Sequence, residues 1–136
     1  MLTAEMYSSV LLALAIFREA RGSSRQAKLA VKHVILNRVA HPSGPFSGCH
    51  DVVSNILAPF QFSSFNPKDP NSSLLPNPRL TAEWPAWLEC CEVVDSNEAD
   101  ITGGANYYFD TSIKPPSWAD PKRHTVDIDT FRFYRL

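Results

Sequence analysis

Glu19 stands at the predicted end of an almost entirely apolar helix. There its carboxylate faces the negative end of the helix dipole, and partial burial adds a desolvation penalty. Both effects disfavour the charged form and raise the pKa of the Glu19 carboxyl, as a general acid working near neutral pH requires. The residues alone leave an alternative equally open, a surface glutamate paired with Arg18, Arg21 or Arg25.

Metal-dependent chemistry is the main alternative that the residue types suggest. The potential ligands are Cys49-His50, His33, His41 and His124. None of them has the spacing of a zinc site, since the chain contains neither His-x-x-x-His nor Cys-x-x-Cys. The sequence also lacks a glycine-rich phosphate loop and a nucleophile elbow. We therefore predict no metal and no cofactor.

Length and composition predict a single globular domain over residues 1–136. Hydrophobic residues make up 44% of the chain and charged residues 20%, which is ordinary for a globular protein. The net charge of -1 gives no basic signature of nucleic-acid binding. No run approaches the roughly 18 apolar residues of a membrane span. The odd number of cysteines, 3, predicts free thiols.

Two helices are predicted around Glu19. The first runs from about Thr3 to Ala20, is apolar on most sides and is therefore expected to be central. Gly22 then ends it. The second runs from about Ser24 to Ala40, and a capping box of Ser23 and Gln26 is predicted at its start.

The second helix has one apolar stripe. Its members are Ala27, Ala30, Val31, Val34 and Ile35. Lys28, Lys32 and Arg25 are predicted on the opposite side of the helix. Asn37 and Arg38 end the helix, where we favour a capping or helix-bridging role for both.

Loops dominate the middle of the chain. A short helix is predicted over 52–57, capped by Asp51. Residues 58–80 contain five prolines and form a long surface segment, a type of loop that is often functional. A further helix is predicted over about 81–97.

The chain is predicted to end in β structure. Gly103 and Gly104 mark a turn, and residues 105–109 resemble a short strand. Apolar and polar residues then alternate with period two over 126–134. The predicted fold class is α+β, mainly α, with a small antiparallel β element near the C-terminus.

Five blocks of sequence resemble the bacterial cell-wall hydrolases typified by the spore cortex-lytic enzyme SleB, which have a lysozyme-like fold. The blocks are Phe17-Arg18-Glu19-Ala20-Arg21-Gly22, Val34-Ile35-Leu36-Asn37-Arg38-Val39, Pro59-Phe60-Gln61-Phe62-Ser63, Thr102-Gly103-Gly104-Ala105-Asn106-Tyr107-Tyr108, and Trp118 with residues 131–135. They occur in the family's order and span nearly the whole chain. The chain is therefore identified as a member of this family.

The resemblance implies a single catalytic domain in which a central helix ends at the catalytic glutamate, Glu19. It also implies cleavage of the β-1,4 bond between N-acetylmuramic acid and N-acetylglucosamine in peptidoglycan. Known members are lytic transglycosylases, in which one glutamate acts as acid and then as base. The C6 hydroxyl of the muramic acid attacks in place of water and leaves a 1,6-anhydro end. A hydrolytic muramidase and a non-enzymatic glycan-binding or phage structural module are the alternatives.

A second catalytic carboxylate is not evident in the sequence. Retaining glycosidases hold two carboxyl groups about 5–5.5 Å apart, and inverting ones about 6.5–9.5 Å apart. The phage-lysozyme pattern would place an aspartate at position 28, which is Lys28 here. Four aspartates in predicted loops could still approach Glu19: Asp51, Asp69, Asp110 and Asp120.

Eight residues form the predicted substrate-binding set. They are Gln61, Phe62, Ser63, Gly104, Ala105, Tyr107, Tyr108 and Trp118. Gln61 is suited to binding an N-acetyl group or orienting Glu19, with a solvated loop amide as its alternative. For Ser63 we favour local turn bonding. Trp118 could equally stack on a sugar or pack in the core.

The tyrosines and two departures from the family pattern refine this set. Tyr107 and Tyr108 should point to opposite faces of a strand, so only one is expected to face the cleft. Family members carry an acidic residue where this chain has Ser23, and often a histidine or tyrosine within the Gly-Gly-Ala segment, where this chain has Asn106. Binding roles therefore transfer to this segment only loosely.

The substrate implies a place of action outside the cytoplasmic membrane, in the periplasm or cell wall. The apolar run Val10–Phe17 lacks the flanks of a secretory signal. We therefore expect a phage endolysin, cytoplasmic until a holin releases it, or a domain of a longer exported protein. The expected partner is the peptidoglycan glycan strand, not nucleic acid, and the expected state is a monomer.

Overall fold

Four helices and a small sheet make up the structure, a computed structural model that describes residues 2–58 and 62–136. The helices are α1 (Ala4–Ala20), α2 (Arg25–Ala40), α3 (Val52–Leu57) and α4 (Trp84–Asp95). The strands are β1 (Tyr107–Asp110), β2 (His124–Ile128) and β3 (Phe131–Tyr134). Short 3-10 turns lie at Gly44–Phe46, Ser63–Phe65, Pro70–Ser73 and Pro121–Arg123. The predicted class, mainly α with a small antiparallel sheet, is confirmed.

Helix α1 is the central helix, as its composition predicts. The hydroxyl of Thr3 caps it by accepting a hydrogen bond from the Met6 backbone N–H at 3.1 Å. It packs against α2, α3 and α4. Its buried apolar residues all lie from its middle onward: Leu11, Leu12, Ala13, Ala15, Ile16, Phe17 and Ala20. Among the helices that the structure describes, none combines the length and the apolar character needed to cross a membrane.

The start of α2 differs from the prediction by one residue. Ser24, and not Ser23, is the N-cap, and its hydroxyl accepts a hydrogen bond from the Ala27 N–H at 3.2 Å. Ser23 continues the turn after α1, since its N–H donates to the Ala20 carbonyl. The predicted capping box is therefore wrong, although the predicted helix is confirmed.

The two lysines of α2 are buried, contrary to the prediction that they lie on the polar side. Lys28 is 2% exposed and Lys32 is 6% exposed. The Lys32 ammonium donates to the Val93 and Ser96 carbonyls at 3.0 and 2.7 Å, at the C-terminal end of α4. The Lys28 ammonium donates to Glu89 at 2.9 Å. Their apolar stems pack between the helices while each charged end meets a polar partner on α4.

Helix α4 is shorter than predicted. It begins at Trp84 and not near residue 81, with Pro85 in its first turn, where a missing N–H costs no helical hydrogen bond. It ends at Asp95, two residues before the predicted end. Its inner face buries Cys90 and Val93.

The three strands form an antiparallel sheet in the order β1-β3-β2. Tyr108 pairs with Phe133 and Tyr107 pairs with Tyr134. Because side chains alternate along a strand, Tyr108 shares the inner face with Phe131 and Phe133. Tyr107 lies on the outer face. The prediction that the two tyrosines point to opposite faces is confirmed.

Asp100 ties the turn before β1 to helix α2. Its carboxylate accepts from the Thr102 N–H at 2.7 Å, the Thr102 hydroxyl at 2.6 Å and the Gly104 N–H at 3.1 Å. It also accepts from the Asn37 amide at 3.0 Å, and that amide donates to the Ala105 carbonyl at 2.9 Å. Gly104 has a φ of 80°, which favours glycine. The predicted helix-bridging role of Asn37 is confirmed.

Asp100→Ala should destabilise the fold by about 2 kcal/mol, because the fully buried Thr102 hydroxyl loses its acceptor. Urea unfolding measures this as a lower midpoint at unchanged slope. Asp100→Asn is the matched control, since it keeps one carbonyl oxygen and should lose less. Equal stability of the alanine variant and the wild type would contradict the assigned role of this turn.

Candidate active site

Glu19 lies in the last turn of α1 with its side chain mostly buried. Burial raises the pKa of its carboxyl, the negative charge of Asp69 raises it further, and the positive charge of Arg38 lowers it. The result is a pKa raised from the usual 4.5 to about 7. At neutral pH this group can therefore both donate and accept a proton, as an acid–base catalyst requires.

Of the four loop aspartates, Asp69 is the one whose negative charge raises the pKa of the Glu19 carboxyl. The other three carboxylates accept hydrogen bonds from backbone N–H groups of their own turns. These are Asp51 with Ser54 at 2.7 Å, Asp110 with Ser112 at 2.9 Å and Asp120 with Lys122 at 3.0 Å. A second carboxylate therefore lies in the electrostatic surroundings of Glu19, and the sequence offered it only as one of four equal choices.

Arg38 supplies the positive charge near Glu19. It is 5% exposed, and its Nε donates to the Asn106 carbonyl at 2.7 Å. Its guanidinium carbon lies 4.2 Å from the ring centre of Phe46 and 5.3 Å from that of Phe62. Burial lowers the pKa of Arg38 to about 10, so the group keeps its charge at neutral pH.

Sequence reasoning missed the electrostatic role of Arg38. It assigned Arg38 a bridging role, which its bond to Asn106 supports, but not a place beside Glu19. A signal was present, because Arg38 follows Val31, Val34 and Ile35 at helical spacing. A charged residue that continues an apolar stripe is buried, and a buried charge requires a partner.

Tyr108 is the tyrosine that faces Glu19. Its ring packs 5.6 Å from the ring centres of both Phe131 and Phe133. Burial raises the pKa of its phenol well above the usual value, and the Glu19 charge raises it further. The phenol therefore stays protonated and is a hydrogen-bond donor on the sheet side of the site.

Two of the three arginines proposed as surface partners of Glu19, Arg18 and Arg25, are engaged elsewhere. Arg18 donates to three backbone carbonyls of the segment that follows α3. Arg25 forms ion pairs with Glu92 and Glu98, each at 2.7 Å. The interpretation that Glu19 forms a surface ion pair with Arg18 or Arg25 is therefore wrong.

Trp118 lies in an aromatic cluster on the outer face of the sheet. Its ring centre is 5.0 Å from Tyr107, 5.4 Å from Tyr134 and 5.9 Å from Phe109. Its side chain is half-buried among these rings and lies outside the main core cluster, so both alternatives stay open. A sugar-binding role for Trp118 stays a prediction.

The other predicted binding residues lie in different surroundings. Phe62 and Ala105 are buried, and the Phe62 ring lies beside the Arg38 guanidinium. Gly104 lines a cavity of about 400 Å³ beside Asn106. Ser63 begins a 3-10 turn, and Gln61 lies outside the described residues. Their roles in binding stay predictions.

Two further observations concern ligands. A second cavity, of about 600 Å³, is lined by the described residues Asn66, Pro67, Lys68, Asp69 and Pro70.

Within 2–58 and 62–136, histidine, cysteine and acidic side chains form no group of three or more that could hold a metal ion.

Comparison with protein families gives one decisive match. The model of the cell wall hydrolase family matches residues 22–134, most of the chain. The chain belongs to this family. A member of the cell wall hydrolase family is a peptidoglycan-lytic enzyme, so the non-enzymatic alternative is set aside. The match begins just after Glu19, so the case for this residue rests on its surroundings and on the resemblance of its motif.

Solved structures agree with this membership. The catalytic domain of the Bacillus cereus SleB protein matches with a TM-score of 0.69 at 28% identity, covering 94% of this chain and 89% of that one. The catalytic domain of the germination-specific lytic transglycosylase SleB from Bacillus anthracis matches with a TM-score of 0.68 at 28% identity, covering 94% and 93%. The predicted lysozyme-like, SleB-like fold of this cell wall hydrolase is confirmed. A search of curated proteins finds no significant match.

The raised pKa of Glu19 should make stability depend on pH in a defined window. Between pH 4.5 and about 7 the folded state binds this proton more tightly than the unfolded chain, so stability falls as the pH rises through the window. Glutamine does not titrate, so the Glu19→Gln variant does not lose stability in this way as the pH rises. Its stability relative to wild type should therefore increase by roughly 3 kcal/mol from pH 4 to pH 8.

Chemical unfolding at a series of pH values measures this difference. The matched control is Glu5→Gln, an exposed glutamate in the first turn of the same helix. Its difference from wild type should be nearly independent of pH over this window. A flat difference for Glu19→Gln as well would show that Glu19 has an ordinary pKa.

Proposed function

We propose that this cell wall hydrolase is a lytic transglycosylase that cleaves the β-1,4 bond between N-acetylmuramic acid and N-acetylglucosamine. The observation that carries the proposal is the Glu19 carboxyl, whose pKa of about 7 results from burial and from the opposed charges of Asp69 and Arg38. The catalytic residue is Glu19. Peptidoglycan lies outside the cytoplasmic membrane, so the proposed place of action is the periplasm or cell wall.

In the first step Glu19 acts as an acid. Its proton passes to the bridging oxygen, the bond from this oxygen to C1 of the muramic acid breaks, and positive charge develops at C1. Glu19 is left as a carboxylate. The nearby positive charge of Arg38 stabilises this form, and the phenol of Tyr108 is a donor on the same side.

In the second step Glu19 acts as a base. Its carboxylate takes the proton of the C6 hydroxyl of the same muramic acid, and the C6 oxygen forms a bond to C1. The product is a 1,6-anhydro end, and Glu19 is protonated again. The reaction as a whole consumes no water. A group that must give and then take a proton works best when its pKa is close to the working pH.

The hydrolytic muramidase is the second candidate, and the position of Asp69 favours it. A second carboxylate near the acid could activate a water molecule and give a reducing end in place of an anhydro end. The two reactions use the same first step and differ in the nucleophile. Their products differ in mass by one water molecule.

Mass spectrometry of digested peptidoglycan tests the proposal. Wild type should release anhydro-muramic fragments, and Glu19→Gln should lower the rate at least about 10²-fold because the general acid is lost. Glu5→Gln, on the exposed start of α1, is the matched control and should keep the wild-type rate.

Each result separates the candidates. Products with reducing ends alone would replace the transglycosylase with the muramidase. A Glu19→Gln variant that is folded and fully active would remove Glu19 from the mechanism under either candidate.

A further inference from the structure

Arg18, directly before the proposed acid, binds a segment that is distant in sequence. It is 9% exposed, and its guanidinium donates to the carbonyls of Leu74 at 3.0 Å, Ser72 at 2.9 Å and Ser64 at 3.3 Å. Its central carbon lies 4.7 Å from the ring centre of Phe65. The planar, multiply donating guanidinium suits such a set of acceptors, and a lysine could not reproduce it.

The segment that Arg18 binds, residues 64–74, is otherwise a chain of short turns. The N–H of Asp69 donates to Asn66, that of Ser72 to Asp69 and that of Leu74 to Asn71, all within the segment. Arg18 joins the two ends of the segment to each other and to α1, since Ser64 lies at one end and Leu74 at the other. Together with the packing of Phe65 and Leu74 on the core, it fixes where the middle of the segment lies.

Asp69 occupies that middle. One carboxylate oxygen accepts from the Asn71 N–H at 2.8 Å, which fixes the direction of the side chain. The residue also lines the cavity of about 600 Å³. Its charge is close enough to Glu19 to act on the titration of that group.

We propose that Arg18 is a positioning residue, which fixes segment 64–74 so that Asp69 holds a second negative charge beside Glu19. The proposal rests on Glu19 being the acid of the proposed function. It assigns Arg18, which touches neither substrate nor reacting atoms, a role that acts through Asp69. The sequence analysis gave Arg18 no such role and named Asp69 as one of four aspartates that could approach Glu19.

Among the described residues, three groups from three elements interact electrostatically with Glu19. Asp69 comes from segment 64–74, Arg38 from α2 and Tyr108 from β1. The Arg38 charge favours the carboxylate, whereas the Asp69 charge and burial favour the protonated acid. Removal of the Asp69 charge alone therefore shifts the balance toward Arg38, and Glu19 loses its proton at lower pH.

Asp69→Asn isolates that charge, because asparagine keeps an oxygen that accepts from the Asn71 N–H. The alkaline limb of the pH profile of kcat/KM should move to lower pH, so that activity at pH 8 falls by roughly three- to tenfold relative to the maximum. Asp120→Asn is the matched control, since Asp120 also precedes a proline and caps a 3-10 turn. Its profile should equal that of wild type.

Arg18→Lys keeps the positive charge but not the three-carbonyl contact. It should move the alkaline limb in the same direction as Asp69→Asn. The double variant should show no further movement, because the Asp69 charge acts only when the segment is held. A merely structural role would lower stability and rate without moving the limb.

Direct titration of Glu19 by NMR of carboxyl-labelled glutamate separates this proposal from the proposed function. A lower midpoint in Asp69→Asn supports the inference even where product analysis rejects the transglycosylase. An unchanged midpoint in Asp69→Asn overturns the inference whatever the products are. A Glu19 midpoint in Arg18→Lys equal to that of wild type would mean that Asp69 acts without Arg18, and it would overturn the positioning role.

Discussion

A carboxyl group withdrawn from water at the end of an apolar helix is the constraint on which the rest of the structure depends. The buried second half of α1 packs in the core, and at its end Glu19 lies within electrostatic reach of Arg38 on α2 and Tyr108 on β1. Removing a carboxylate from water disfavours its charge, and that destabilising contribution is what makes the group an acid near neutral pH. In the proposed function, the same burial that lowers the stability of the folded state gives Glu19 the pKa of an acid, a relation that is common at functional sites.

The surroundings of Glu19 are built from opposed charges, each held by backbone groups. Arg38 bonds to the Asn106 carbonyl and Asp69 to the Asn71 N–H. Such partners leave both charges intact, whereas a direct ion pair between Arg38 and Glu19 would have fixed the acid in its ionised form. Burial and two fixed charges together keep both protonation states of Glu19 within reach.

The sequence predicted the parts of the fold that depend on local patterns. The central, apolar helix α1, the Asp51 cap of α3 and the β structure over residues 126–134 all have local causes, and all are confirmed. The burial of Lys28 and Lys32 was missed because their partners lie on α4, far away in sequence.

The sequence predicted Glu19 and Tyr108 in the candidate site and left Asp69 as one of four aspartates. The position of Glu19 follows from one helix, but Arg38, Asp69 and Arg18 act through contacts that cross the fold. Asp100 was missed for the same reason, since its role depends on Asn37 of α2. Carbonyl acceptors such as those of Arg18 leave no trace in residue types, because every residue has one.

The contact between Arg18 and segment 64–74 has a consequence for the working range of the enzyme. Its acceptors are carbonyl oxygens, which do not titrate, and its donor is a guanidinium, which stays protonated. The contact therefore has the same strength in mildly acidic and mildly alkaline surroundings. In the proposed function, a change in acidity therefore alters the protonation of Glu19 without weakening the contact that holds this segment.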